Sequence, residues 1–218
     1  MSADNVNAQT ASQRPSVKLT IEQVAARLFA EQGYGATGVQ QIVDAARVNK
    51  AMLYYYFRSK DNLYDALIRE GLALLDSATR VAEAGQGPLA PRLRRFLCTY
   101  LTLASENADL AQIIYREVLR VGEGGQTPAV EEFRACVRRL AAVLDACAHE
   151  LQPSTNTALA AYSLFGMANM FIQRYVVTRE ALDVAPLVDH ILELFLHGTG
   201  AKTTPQERMH HNTDEQTK

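Results

Sequence analysis

The chain has 218 residues, 48% of them hydrophobic, which is enough to bury one large core or two small ones. Its formal charge of −2 argues against a polyanion partner on global balance alone. Three cysteines (Cys98, Cys136 and Cys147) with no C-x-x-C pair argue against a disulfide framework or a structural zinc site. Small buried residues are the simplest role for them, with a thiol sensor as the alternative.

The charge is unevenly placed. Residues 14–60 carry seven basic and three acidic side chains, a local net of +4, whereas residues 61–218 net −5. A basic head on an acidic body is the asymmetry to follow.

Residues 1–15 are polar and read as a disordered N-terminal segment, and residues 201–218 as a disordered tail. His210 and His211 in that tail read as solvated side chains rather than metal ligands. No signal-like apolar run opens the chain, and no stretch reaches about 18 apolar residues. The expectation is a cytoplasmic protein without a membrane span.

Between the ends the apolar period is helical throughout, so the expected fold is all-α with about nine helices. A first helix is expected over 17–32, closed by Gly33 and Gly35. Two short ones follow over 38–46 and 50–57, then a long one over 60–82. Glycines in "EAGQGPLAP" (83–91) break the pattern. Helices at 91–105 and 107–121 follow, the second with Asn107 as a candidate cap. After the loop at 122–128 come long helices at 128–151, 155–180 and 184–198, with Ser154 or Thr155 as a cap between the first two.

The segment 37–60 carries the most information. Thr37 and Gln40 have capping-box spacing, which starts a helix at 37. Asn49 is a good N-cap for the next. Two short helices joined by a tight turn have the layout of a helix-turn-helix.

Three adjacent tyrosines, Tyr54, Tyr55 and Tyr56, fan over about 200° of a helix, so one buried face cannot hold them all. On a helical wheel Leu53, Tyr56 and Phe57 share the core side. Lys50, Ala51, Met52, Tyr54 and Tyr55 are left to face outward. A cation, a small residue and two phenols suit DNA, since a tyrosine hydroxyl donates to phosphate and its ring packs on sugar or a thymine methyl. Lys50 and Lys60 each stand at a helix N-terminus, where the backbone N–H groups already favour an anion.

The residues from 26 to 67, "ARLFAEQGYGATGVQQIVDAARVNKAMLYYYFRSKDNLYDAL", resemble the tetracycline-repressor (TetR) family of bacterial transcription regulators. The resemblance rests on Phe29, Gly33-Tyr34, Thr37, Ile42, Val48, Leu53-Tyr54, Phe57, Ser59-Lys60 and Leu63. Arg47 replaces the family's turn glycine, where a left-handed backbone costs a non-glycine residue about 1 kcal/mol; from there it is placed to reach a phosphate. Asn49 replaces a serine, Ala51 a glycine, and Gly38 a threonine that often contacts phosphate.

The resemblance implies a helix-turn-helix DNA-binding domain over 16–60 and a ligand-binding and dimerisation domain over 61–200. It implies DNA contacts from Thr37, Gln40, Asn49, Lys50, Ala51, Met52, Tyr54, Tyr55 and Tyr56, with Lys60 on phosphate. It also implies a homodimer through the helices at about 155–180 and 184–198, and a pocket in the body. For that pocket the candidate liners are Phe96, Tyr100, Tyr115, Phe133, Tyr162, Met167, Asn169 and Phe171. Gln112 and Gln173 are further polar groups that could orient a ligand. The helix "ALAAYSLFGMANMFIQRYVV" is apolar nearly all round, so Ala161, Phe165, Ala168, Met170 and Ile172 do not fit one core stripe, and Gly166 invites close approach of another backbone.

The implied function is a repressor that binds a palindromic operator as a homodimer and is released by a hydrophobic or aromatic small molecule. No cofactor or metal is implied. The chain lacks G-x-S-x-G, a P-loop and H-E-x-x-H, so an enzyme is not expected. The alternatives are a helical protein-binding adaptor and a transcriptional activator of the same fold.

Overall fold

A computed structural model describes residues 16–119 and 127–197. The segments expected to be disordered (1–15 and 201–218), with His210 and His211, lie outside the described residues, as does most of the glycine loop at 122–128. Among the described residues every element is helical: α1 (Val17–Gln32), α2 (Val39–Ala46), α3 (Lys50–Phe57), α4 (Lys60–Ala84), α5 (Leu89–Glu106), α6 (Ala108–Val118), α7 (Pro128–Ala146), a single 3-10 turn (Ala148–Glu150), α8 (Thr157–Thr178) and α9 (Val184–His197).

Local chemistry sets most boundaries. Ser16, Asn49, Ser59, Thr127 and Asn156 each accept a first-turn N–H as the N-cap of α1, α3, α4, α7 and α8. The cap of α8 is therefore Asn156, not Ser154 or Thr155. Asn107 does not cap α6 with its side chain; its amide instead donates to Leu103 O at the end of α5. The α5 helix starts two residues earlier than expected. Pro91 sits within its first turn, where no N–H is missed, and the Leu89 N–H donates to a distant acceptor, Glu150 Oε1, at 2.9 Å.

Two buried clusters result. One joins α1, α2 and α3 through Ile21, Phe29, Ile42, Leu53 and Phe57, and includes Leu63 and Leu67 of α4 with Leu110 and Ile113 of α6. The other fills the body with residues of α4, α5, α7, α8 and α9. At its centre Phe165 meets Phe96, Tyr100 and Phe133 edge-on, at 5.2, 5.6 and 5.6 Å between ring centroids. Cys136 and Cys147 are buried and Cys98 half-buried, and burial pushes the Cys136 thiol up to about 11. No described helix is long and apolar enough to cross a membrane.

The α4 and α6 helices cross closely at Gly71. A Cβ there would stand 2.6 Å from Ile114 Cγ1. Gly71→Ala should therefore destabilise the protein by about 1–3 kcal/mol through overpacking, despite the gain in helix propensity. Chemical denaturation of G71A, I114A and the double variant checks this: the loss caused by G71A should be smaller in the I114A background, where Cγ1 is gone.

Candidate nucleic-acid interface and effector cavity

The turn between α2 and α3 adopts the expected geometry. Arg47 is left-handed (φ 55°, ψ 43°), and its N–H closes the end of α2 on Val43 O and Asp44 O. One residue on, Val48 N–H reaches Val43 O at 3.0 Å. Asn49 Oδ1 then accepts the Met52 N–H at 2.9 Å and launches α3.

Leu53 and Phe57 are buried and pin the inner side of α3. Lys50, Ala51, Tyr54 and Tyr55 are exposed, and Met52 is half-buried. Tyr56 departs from the wheel: it is 37% exposed and packs edge-on against Tyr55, which is 79% exposed. In a two-turn helix Leu53 and Phe57 fill the available core, so the third ring stays outside with its neighbours. Arg58, not singled out from the sequence, is a further exposed cation at the C-cap of α3.

Two sequence expectations change here. Thr37 does not cap α2. It is fully buried, and its hydroxyl lies within hydrogen-bond range of Gly33 O (2.9 Å) and Leu28 O (3.3 Å) at the end of α1. Its side chain has no surface to offer DNA. Gly38 is the N-cap instead, with no side-chain bond and open space around it, which leaves the first N–H groups of α2 without a side-chain partner. Gln40 is exposed and its amide donates to Asp44 Oδ1 at 2.7 Å.

Lys60 is not a free surface cation. Its ammonium donates to Tyr34 O (3.1 Å) and Thr37 O (3.0 Å) and lies 4.0 Å over the Tyr34 ring. Two of its three N–H groups therefore hold the α1–α2 loop.

The body contains a cavity of about 450 Å³ between α4, α5, α6, α7 and α8. Tyr100, Tyr115, Phe133, Tyr162 and Asn169 line it as expected. Phe96, Met167 and Phe171 do not. Phe96 is fully buried beneath Tyr100, stacked at 5.7 Å, and the other two pack on the body core. Gln112 and Gln173 are not liners either, and Gln173 Nε2 is buried without a hydrogen-bond partner.

Most of the remaining wall is aliphatic and comes from α4, α5 and α6: Leu74, Leu75, Leu103, Leu110, Ile114 and Val118. Sequence reasoning looked for aromatics and passed these over. Among the described residues no charged side chain lines the cavity. Its polar groups include the Tyr100–Asn169 pair, in which the Tyr100 hydroxyl donates to Asn169 Oδ1 at 2.5 Å, and burial holds the Tyr100 proton well above the usual range. A second cleft, of about 420 Å³, lies between α1 and the body and is polar, with Glu22, Glu70, Glu106, Asp109 and Arg179 in its wall.

The N-terminal end of one short helix and a second short helix with an uncovered outer face have the layout of a helix-turn-helix, set on a helical body that holds an apolar cavity. Residues 21–67 match the sequence profile of the bacterial regulatory proteins of the tetR family, so this segment of the chain is similar to that family.

Among its relatives, the HTH-type transcriptional repressor KstR2 of Mycolicibacterium smegmatis is 28% identical over 109 residues, 50% of this chain and 52% of that protein. The HTH-type transcriptional activator FasR of the same species is 40% identical over 91 residues, 42% of each chain. The chain spans about half the length of these curated relatives. The fold matches a crystal structure of AibR in complex with isovaleryl coenzyme A and operator DNA, with a TM-score of 0.69, 21% identity and coverage of 83% of this chain and 98% of that one.

Two measurements check this geometry. Arg47→Gly should stabilise the head by up to about 1 kcal/mol in urea denaturation, because glycine carries no left-handed penalty. The Tyr34 hydroxyl donates to Asp61, and that bond, with burial, raises its pKa from 10.0 to about 12. The folded state thus holds a proton that the unfolded chain releases earlier. The associated stability is intact below pH 10 and is lost as pH rises toward 12, and a stability–pH profile of Tyr34→Phe should lack that part of the decline.

Proposed function

We propose that the chain is a cytoplasmic, ligand-responsive transcriptional repressor that binds a palindromic operator as a homodimer and is released by an apolar small molecule. The observation that carries this reading is α3, anchored by Leu53 and Phe57 while Lys50, Tyr54 and Tyr55 remain uncovered. A helix held so firmly on one side and so bare on the other has the form of a recognition helix.

The DNA contacts we assign are Gln40, Arg47, Asn49, Lys50, Ala51, Met52, Tyr54, Tyr55 and now Tyr56. The third N–H of Lys60 supplies a phosphate contact. At the N-terminus of α2, main-chain N–H groups beside Gly38 take the place of the buried Thr37 side chain. We take residues 16–60 as the DNA-binding unit and 61–200 as the body.

The homodimer forms through α8 and α9, which gives the two heads two-fold symmetry and hence a palindromic site. Exposed Met170 supports this. Ala161, Phe165, Ala168 and Ile172, also named for that surface from the sequence, are buried in the body core instead.

The cavity sets the effector class. About 450 Å³ lies within the usual range for small-molecule pockets. With no charged side chain among the described residues of its wall, an ionised group buried against them would lack a partner. The effector is therefore neutral and apolar, or an acyl group whose charged carrier stays outside; the isovaleryl coenzyme A held by AibR is of the second kind. An activator is the second reading, and the FasR match supports it, since a similar head serves an activator there.

Selection of the purified chain against random duplex DNA at two salt concentrations tests the function. A palindrome should emerge, with affinity falling steeply as salt rises. Arg47→Gly and Lys50→Ala should each reduce the log–log salt slope by about 0.9. Recovery of no sequence by a folded dimer would promote the protein-binding adaptor. An operator affinity unchanged across a panel of neutral apolar compounds and acyl thioesters would remove the ligand-release mechanism.

A further inference from the structure

We propose that the cavity is completed by the second copy of the chain, whose α8 forms the outer wall, so that effector binding and dimerisation are thermodynamically coupled. This rests on the homodimer reading given above and adds to it a shared binding site.

The large exposed hydrophobic side chains are not scattered. Among the described residues, apart from Leu19, Leu119 and the three tyrosines of α3, they are Leu159, Tyr162, Met170 and Val177, all on α8. With Gly166 they fall on one side of that helix, within about 80° of one another. Exposed Ser163 and partly exposed Gln173 flank the stripe, and Arg174, the charged residue of α8, sits at its edge.

Such a stripe runs about 27 Å along α8. Single exposed apolar residues are ordinary, but a continuous uncharged row is not. Because Gly166 has open space beyond it, a second backbone can approach there. A two-fold axis near Gly166 would set Tyr162 of one copy against Met170 of the other, apolar on apolar, so the stripe is complementary to itself.

The cavity reaches the same stripe. Tyr162, Gly166 and Met170 line it, and all three are exposed, Met170 by 67%. The cavity therefore opens where the row of uncovered apolar residues lies. A copy docked on that row covers the opening. An apolar effector would then be shielded by both chains, and by linkage it would tighten the dimer as much as the dimer tightens its own binding.

The test uses the full chain and the neutral apolar dye N-phenyl-1-naphthylamine, with sedimentation to report assembly. Leu159→Glu combined with Val177→Glu breaks the stripe without changing a cavity residue. The wild type should sediment as a dimer, and dye affinity should follow the dimer fraction on dilution. The double variant should be monomeric, keep its helical circular dichroism, and bind dye at least tenfold more weakly.

Equal dye affinity in monomer and dimer would overturn the shared wall while leaving the dimer intact. A wild type that is monomeric at every concentration would overturn the dimer reading and this proposal together. A dimer that takes no dye at all would overturn the cavity as a binding site. Should the double variant unfold, Leu159→Glu alone and the wild-type dilution series decide in the same way.

Discussion

The close crossing of α4 and α6 at Gly71 is the constraint on which the rest of the structure depends. Because no side chain stands between the helices there, Ile114 of α6 lies against the backbone of α4. That contact places α6 where it serves both halves of the molecule. Leu110 and Ile113 belong to the buried cluster beneath the head, Arg116 donates to Phe29 O at 3.3 Å, and Tyr64 donates to Glu117 at 3.3 Å. On its other side α6 lends Leu110, Ala111, Ile114, Tyr115 and Val118 to the cavity. Leu110 is in both sets. A ligand that displaces the wall of the cavity by a fraction of an ångström therefore disturbs packing under α1 directly, since close-packed interiors transmit strain rather than absorb it.

How far the fold could be read from the sequence depended on how local its determinants are. The cap at Asn49 appears where the spacing places it, and the left-handed turn at Arg47 where the family resemblance implies it; both are decided within a few residues, as is the cap at Ser59. Thr37 was misjudged because T-x-x-Q is only permissive. The hydroxyl instead reaches the carbonyls of Leu28 and Gly33 around the end of α1, nine and four residues away. Lys60 shows the same pattern. Its charge and its place at the start of α4 were legible, but the two carbonyls that occupy it come from a loop more than twenty residues upstream.

The cavity was half legible for a different reason. Residue type marks what is apolar, whereas a cavity is the space that neighbouring side chains fail to fill. Phe96 and Tyr100 are one turn apart and chemically alike, yet one is sealed beneath the other. The aliphatic wall from α4, α5 and α6 carries no distinguishing signal, since Leu and Ile at helical spacing are also what a solid core requires. The α8 helix had the converse ambiguity. Apolar all round, it divides into a buried side with Ala161, Phe165, Ala168 and Ile172 and a bare side with Leu159, Met170 and Val177, and only packing assigns the sides.

These separate facts constrain any account of regulation. A ligand shifts an equilibrium only by its differential affinity for the two states, so the cavity must differ between the DNA-bound and released forms. With no charge among the described residues of its wall, that difference comes there from volume and apolar contact rather than from making or breaking an ion pair. Apolar contact changes by about 0.8 kcal/mol per buried methylene, so two or three methylenes suffice for the 1–3 kcal/mol typical of allosteric coupling. Such a device discriminates by size and shape, which is how a wall made of interchangeable leucines and isoleucines can still favour one effector over its homologues.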